Sequence, residues 1–124
     1  MSIQVTWYSH ACFEIKTEKA SLLIDPFISD NPLAPVSVSD LRPDAILVSH
    51  GHGDHVGDTV AIAEKTGATV VSNFEIQNWM VAQGVKNAHP LHIGGGYDFD
   101  WGRVKLTIAH HGSALPGRTY GGSP

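Results

Sequence analysis

The sequence predicts an α+β fold of layered sheet and helix. Three observations carry this. The chain opens on short runs that alternate apolar and polar residues, the two-residue period of half-buried strands. Its middle changes to a strand–loop–helix–strand–helix order. It then returns to alternation after residue 96. Strands and helices mixed in this way bury their apolar faces against one another in layers.

Residues 3–8 and 12–16 read as two strands joined by a turn at Ser9-His10-Ala11. Residues 21–24 form an apolar run that Asp25-Pro26 stops, because proline cannot continue a ladder. Pro26, Pro32, Pro35 and Pro43 make residues 26–43 a loop. Residues 44–48 (DAILV) have the composition of a fully buried strand. They lead directly into Ser49-His50-Gly51-His52-Gly53-Asp54-His55. A helix is expected over residues 58–65, with Asp58 as N-cap and Gly67 as its stop. A β-branched strand follows at residues 68–71. Asn73 then caps a second helix running to about Gln83, with Ile76, Trp79 and Met80 as its buried stripe. Residues 97–100 and 103–109 flank Trp101-Gly102 as a hairpin, and the second strand delivers His110 and His111. The tail, residues 112–124, is rich in Gly, Ser and Pro and shows no apolar period.

Composition bounds the function. The chain has 124 residues, 42% hydrophobic and 16% charged, which suits one soluble domain. The net charge is −4 and no Lys/Arg run occurs, so a nucleic-acid partner is not expected. No apolar run approaches the roughly 20 residues a membrane helix needs, and no signal peptide is recognisable. Cys12 is the only cysteine and reads as core, so no internal disulfide is possible. A soluble cytoplasmic protein is the expectation.

The 8 histidines do not lie in a terminal tract, and their spacing points to chemistry. Imidazole and carboxylate are ligands for zinc and similar ions. His50, His52, Asp54 and His55 fall within six residues, so they converge only if the backbone curls. Gly51 and Gly53 are expected to permit that curl by adopting angles other residues avoid. With one cysteine in the chain, a cysteine-rich structural zinc site is excluded, and nitrogen and oxygen donors point to a hydrolytic site. A lone polar loop with coincidental histidines is the bland alternative, and it gives no reason for the crowding. His89 and His92 fit no pattern and read as ordinary surface or core residues. Gly94-Gly95-Gly96 lacks the Lys and Ser/Thr of a phosphate loop and reads as a flexible turn. No G-x-S-x-G elbow accompanies Ser113, so a serine mechanism is not expected.

His50-Gly51-His52-Gly53-Asp54-His55 resembles the HxHxDH signature of the metallo-β-lactamase superfamily. Ser9-His10-Ala11-Cys12-Phe13 is similar to the GHACF hairpin of its ascorbate-6-phosphate lactonase-like branch, with Ser9 where that hairpin has glycine. Leu23-Ile24-Asp25-Pro26 resembles the same branch's LIDP strand end, and Ala109-His110-His111-Gly112-Ser113 its AxHGS segment. The resemblance implies an αββα sandwich with up to two divalent ions, zinc above all, with manganese or iron as alternatives. His50, His52 and His111 would hold the first ion, with His110 a neighbour. Asp54 and His55 would hold the second, and Asp25 would support the loop from behind.

The same resemblance covers residues 1–124 as the N-terminal half of the fold. The segments that give the family its bridging aspartate and final histidine are not found; Gly57-Asp58-Thr59 spells the first but lies at a helix start. A bare apolar sheet face is therefore expected, covered by a complementary C-terminal half or by a second copy of this chain. The implied activity is hydrolysis of an ester, lactone or phosphodiester in a small molecule by metal-activated water. In it Asp54 orients the nucleophile and His10 donates a hydrogen bond to substrate or product. The alternative is a non-catalytic metal-binding or scaffold subunit.

Overall fold

A computed structural model describes residues 1–124. Its frame is one six-stranded sheet whose strands follow chain order: β1 (Gln4–Trp7), β2 (Phe13–Lys16), β3 (Ser21–Ile24), β4 (Ala45–Leu47), β5 (Thr69–Asn73) and β6 (Ala88–Leu91). The first three strands pair antiparallel, as short connections allow, and β3 to β6 pair parallel. A one-turn helix α1 (Gly53–Val56) and helix α2 (Thr59–Thr66) connect β4 to β5, and α3 (Phe74–Ala82) connects β5 to β6. The chain then forms a hairpin, β7 (Gly96–Phe99) with β8 (Gly102–Lys105), and ends in a two-residue pair, β9 (Ala114–Leu115) with β10 (Thr119–Tyr120).

The pairing register sorts side chains between the two faces. Glu14, Leu23, Ile46 and Val70 are aligned across β2 to β5 on the face that the helices cover. Leu23, Ile46, Val70, Ile62, Ile76 and Met80 are almost wholly buried there and form the centre of the core. Truncating such a side chain to alanine costs about 2–5 kcal/mol. The opposite face carries the rows Val5–Ile15–Leu22–Ala45 and Trp7–Phe13–Ile24–Leu47–Val71. Its β1 end is open to solvent, with Val5 61% and Trp7 62% exposed.

The caps explain the helix boundaries. The Asn73 side chain accepts a hydrogen bond from the Ile76 amide at 2.9 Å and starts α3. Gly67 ends α2 in the left-handed conformation, φ 76°. Asp58 stands at the N-cap position, but its carboxylate does not cap the helix. It accepts instead from the Ile28 and Ser29 amides at 3.0 and 2.8 Å, which fastens the 26–43 loop to the start of α2. Gly57 completes that fastening: its φ is 45°, and a Cβ there would collide with the Pro26 carbonyl.

Four strands differ from the sequence expectation. β6 contains Pro90 and sits at the edge of the sheet, the position where proline is tolerated. β9 and β10 arise in the tail, and β8 ends at Lys105 rather than Ala109. The glycine run is a bonded turn: the Gly94 amide donates to the Leu106 carbonyl at 2.8 Å and the Leu106 amide to the Gly95 carbonyl at 2.9 Å. His89 packs against Tyr97 and Phe99, with ring centroids 4.3 and 5.0 Å away, and ties the hairpin to β6.

Candidate metal centre

The parallel strands deliver their loops to one end of the sheet, where α/β folds place their sites. β3 leads into Asp25, β4 leads toward His50, and the segment after β8 brings His111 across. His50, His52 and His111 offer ring nitrogens within 4.8 Å of one another. Their ring centroids lie 4.7–5.0 Å apart. His110 is exposed and outside this cluster. A second group, His10, Asp54 and His55, meets the same closeness on the solvent side. The two groups adjoin, with the His50 and His55 rings 4.1 Å apart.

Hydrogen bonds fix how these rings point. Asp25 is 3% exposed and takes three donors: the Ser49 amide at 2.8 Å, the Ser49 hydroxyl at 2.5 Å and His55 Nδ1 at 2.8 Å. The Ser49 hydroxyl spends its single proton on that carboxylate. Its oxygen must therefore accept from His50 Nδ1, 2.9 Å away. One carboxylate thus sets both imidazoles as Nδ1–H tautomers, with the Nε2 lone pairs turned toward the cluster. His50 Nε2 is buried and has no hydrogen-bond partner in the protein. A buried polar atom left unpaired costs free energy, and a cation is the partner this lone pair fits. Asp25 itself lies in a close group with His50 and His55, but its oxygens are already engaged, so it supports rather than ligates.

The electrostatics agree. Burial, joined by repulsion from His55, pushes the His50 imidazole down to about 4 from 6.5, so it stays neutral and able to bind a cation. Burial raises the Asp54 carboxyl, but His55, its own backbone amide and His10 outweigh this and hold it below the ordinary range. The sign of the His50 shift gives a pH prediction. Between about 4 and 6.5 the unfolded chain binds a proton here that the native chain refuses. Stability of the metal-free protein should therefore fall as pH drops through that window. Urea midpoints measured across it, with chelator present, check the slope.

The glycines act differently from expectation. Neither Gly51 nor Gly53 has a positive φ. Gly51 is needed for close approach: a Cβ there would press on Leu115 at 3.0 Å and on its backbone nitrogen at 3.1 Å. Gly53 meets no such neighbour and simply opens α1.

Two serines hold the centre together, a part the sequence reading gave to neither: Ser49 joins Asp25 to His50, and Ser113 acts from the other side. Ser113 Oγ accepts from the Gly51 amide at 3.0 Å and donates to the Gly121 carbonyl at 2.9 Å. It pins the tail that carries His111 to the loop that carries His50 and His52. Ser113→Ala should cost about 1–2 kcal/mol, because the Gly51 amide loses its partner. Chemical denaturation of the two proteins measures this.

The family model described as the metallo-beta-lactamase superfamily matches residues 5–124. The chain belongs to the metallo-β-lactamase superfamily. Within it, the chain is 50% identical over 113 residues to a UPF0173 metal-dependent hydrolase of Shouchella clausii (strain KSM-K16), covering 91% of this chain and 50% of that protein. A UPF0173 metal-dependent hydrolase of Bacillus cereus (strain AH820) is 49% identical over 112 residues, covering 90% of this chain and 49% of that one. The chain therefore spans about half the length of the curated relatives it matches. Among solved structures, the metallo hydrolase Igni18 of Ignicoccus hospitalis KIN4/I superposes with a TM-score of 0.83 at 28% identity, over 98% of this chain and 53% of that one. The metallo-β-lactamase fold expected from the sequence is the fold observed. No helix is long and apolar enough to cross a membrane.

Proposed function

We propose that this chain carries the metal-binding half of a hydrolase acting on an ester, lactone or phosphodiester bond. The observation that carries the reading is the convergence of His50, His52 and His111 around a buried, unpartnered His50 Nε2. The donors are three imidazole nitrogens with carboxylate oxygen beside them, a set suited to zinc, with manganese or iron as alternatives. His50, His52 and His111 would hold one ion; Asp54 and His55 would contribute to a second. Ions so held lower the pKa of water toward neutrality and polarise a carbonyl or phosphoryl oxygen.

The protein's own groups supply orientation. Asp25 and Ser49 keep the ring lone pairs of His50 and His55 aimed inward. Asp54 is 50% exposed at the side chain and held ionised, so it is placed to accept a proton from an attacking water and align it. The open sheet face around Val5 and Trp7 calls for a cover, either a complementary C-terminal half or a second copy of this chain. A non-catalytic metal-binding or scaffold subunit is the second reading, since the gathered donors hold an ion whether or not a substrate is turned over.

Elemental mass spectrometry of native protein, with its intact mass, and a panel of esters, lactones and phosphodiesters assayed with and without chelator test both readings. Bound metal with chelator-sensitive turnover supports the hydrolase. Bound metal without turnover on any substrate favours the second reading. Protein that takes up no metal overturns both.

A further inference from the structure

His10, which the resemblance casts as a hydrogen-bond donor to substrate or product, has unusual surroundings. It sits in the β1–β2 turn, 44 residues before Asp54, yet its Nε2 lies 3.1 Å from Asp54 Oδ2. The other oxygen of that carboxylate, Oδ1, lies 3.9 Å from His55 Nε2. Donors held about 2.0–2.2 Å from one tetrahedral ion are about 3.4 Å apart; the two contacts, one to each carboxylate oxygen, lie on either side of that value, and one ligand atom from each of the three residues lies within 4.8 Å of the others. His55 cannot turn its other nitrogen to the group, because Nδ1 is committed to Asp25 at 2.8 Å.

The backbone holds His10 in place at a cost. Ser9 and His10 both adopt left-handed angles, φ 76° and 53°, where non-glycine residues are disfavoured. The strained turn is closed by the Cys12 amide donating to the Ser9 carbonyl at 3.1 Å, and Trp7 Nε1 donates to the His10 carbonyl at 3.0 Å. The ring is flanked by Phe27, with centroids 5.7 Å apart, and by His55 at 5.1 Å. Strain kept by so many contacts marks a position whose side chain is placed deliberately.

We propose that His10 Nε2 is a ligand of the second ion, so that His10, Asp54 and His55 form a three-donor site within this chain. The resemblance gives this ion only Asp54 and His55 from this part of the fold. The inference rests on the metal reading above. In the metal-free protein His10 Nε2–H donates to the Asp54 carboxylate; on binding, that proton leaves to Nδ1 or to solvent and the lone pair takes the ion. The side chains of His10 and Asp54 are 42% and 50% exposed, so the site opens to solvent and an ion reaches it without rearrangement of the core.

The test uses the whole chain and two probes. Zinc is titrated by equilibrium dialysis into wild type, His10→Ala, and His10→Gly, a variant that relieves the left-handed backbone and so keeps the fold. Cadmium is then added to protein with isotope-labelled histidine, and cadmium–nitrogen scalar coupling is read at each ring. Expected are two zinc steps in wild type, loss of the second by tenfold or more in both variants with the first unchanged, and coupling at His10 Nε2. Two steps retained at wild-type affinity in His10→Gly, or a second step without coupling at His10, overturn the inference and leave the metal reading intact. A single step in wild type that His52→Ala abolishes and His10→Gly does not has the same meaning. No zinc uptake by wild type overturns the metal reading, and the inference with it.

Discussion

His52→Ala is expected to weaken binding of the first ion by about 100-fold or more. Loss of an outer partner of a metal ligand typically costs 10–100-fold, and loss of a ligand exceeds that. His52 is half-buried and sits in a cluster that offers one nitrogen from each of three rings. Removing it leaves His50 and His111 alone, with the His50 Nε2 still buried and now poorly served. The expected signature has two parts. Metal content after dialysis falls toward the second site's share, and hydrolytic activity falls with it. The stabilisation that added zinc gives to unfolding falls as well, by about 2.7 kcal/mol for a hundredfold change in affinity. Metal content equal to wild type would remove His52 from the ligand set.

The second large effect is expected at Asp25. This carboxylate touches no proposed ion, yet it receives the Ser49 amide, the Ser49 hydroxyl and His55 Nδ1 while 3% exposed. Asp25→Ala strands these donors in a buried place and should cost about 3–5 kcal/mol, a large part of a domain's total stability. Asp25→Asn is the gentler probe. Asparagine tolerates the positive φ of 44° found here and keeps one acceptor for the Ser49 amide. Its NH2 group then faces the Ser49 hydroxyl and His55 Nδ1, so both rings lose their fixed tautomer. Metal affinity should fall by about 10–100-fold with a smaller loss of stability. Urea unfolding with chelator present, set beside zinc titration, separates the two contributions. An Asp25→Asn protein with wild-type zinc affinity would show that the ring orientation does not depend on this carboxylate.

The relation between hairpin and site bears on both experiments. Ser9 stands where the resembling hairpin has glycine, and its φ of 76° shows that the turn keeps the glycine-like shape regardless. The turn is held by bonds on either side of it, including the Tyr8 amide to the Cys12 carbonyl at 2.8 Å. Behind it, Glu14 is buried and accepts from the Tyr8 hydroxyl at 2.8 Å and the Ser21 hydroxyl at 3.0 Å. Burial, with the Glu14 bond, lifts the Tyr8 hydroxyl to about 12, so it remains a donor at any physiological pH. This buried pairing anchors the hairpin that carries His10.

Much of the chain's local structure was legible from residues alone. Two-residue alternation marked β1 and β2, and Asn73 and Gly67 marked helix ends, because these signals depend only on neighbours in sequence. The candidate metal loop could be singled out for the same reason: four donor side chains lie within six residues. β6 was not, because Pro90 hides an edge strand from a pattern rule, and β9 and β10 are too short to have a period. What the tertiary structure alone decided is everything that joins distant segments. Asp25 reaches His55 across 30 residues, Ser113 reaches Gly51 across 62, and His10 reaches Asp54 across 44. The role of Gly51 belongs here too, since its constraint is the backbone of β9 and not its own φ. Sequence spacing fixes which residue types a local loop can gather. Only the folded sheet, by bringing strand ends to one edge, fixes which nitrogen His50 and His55 present.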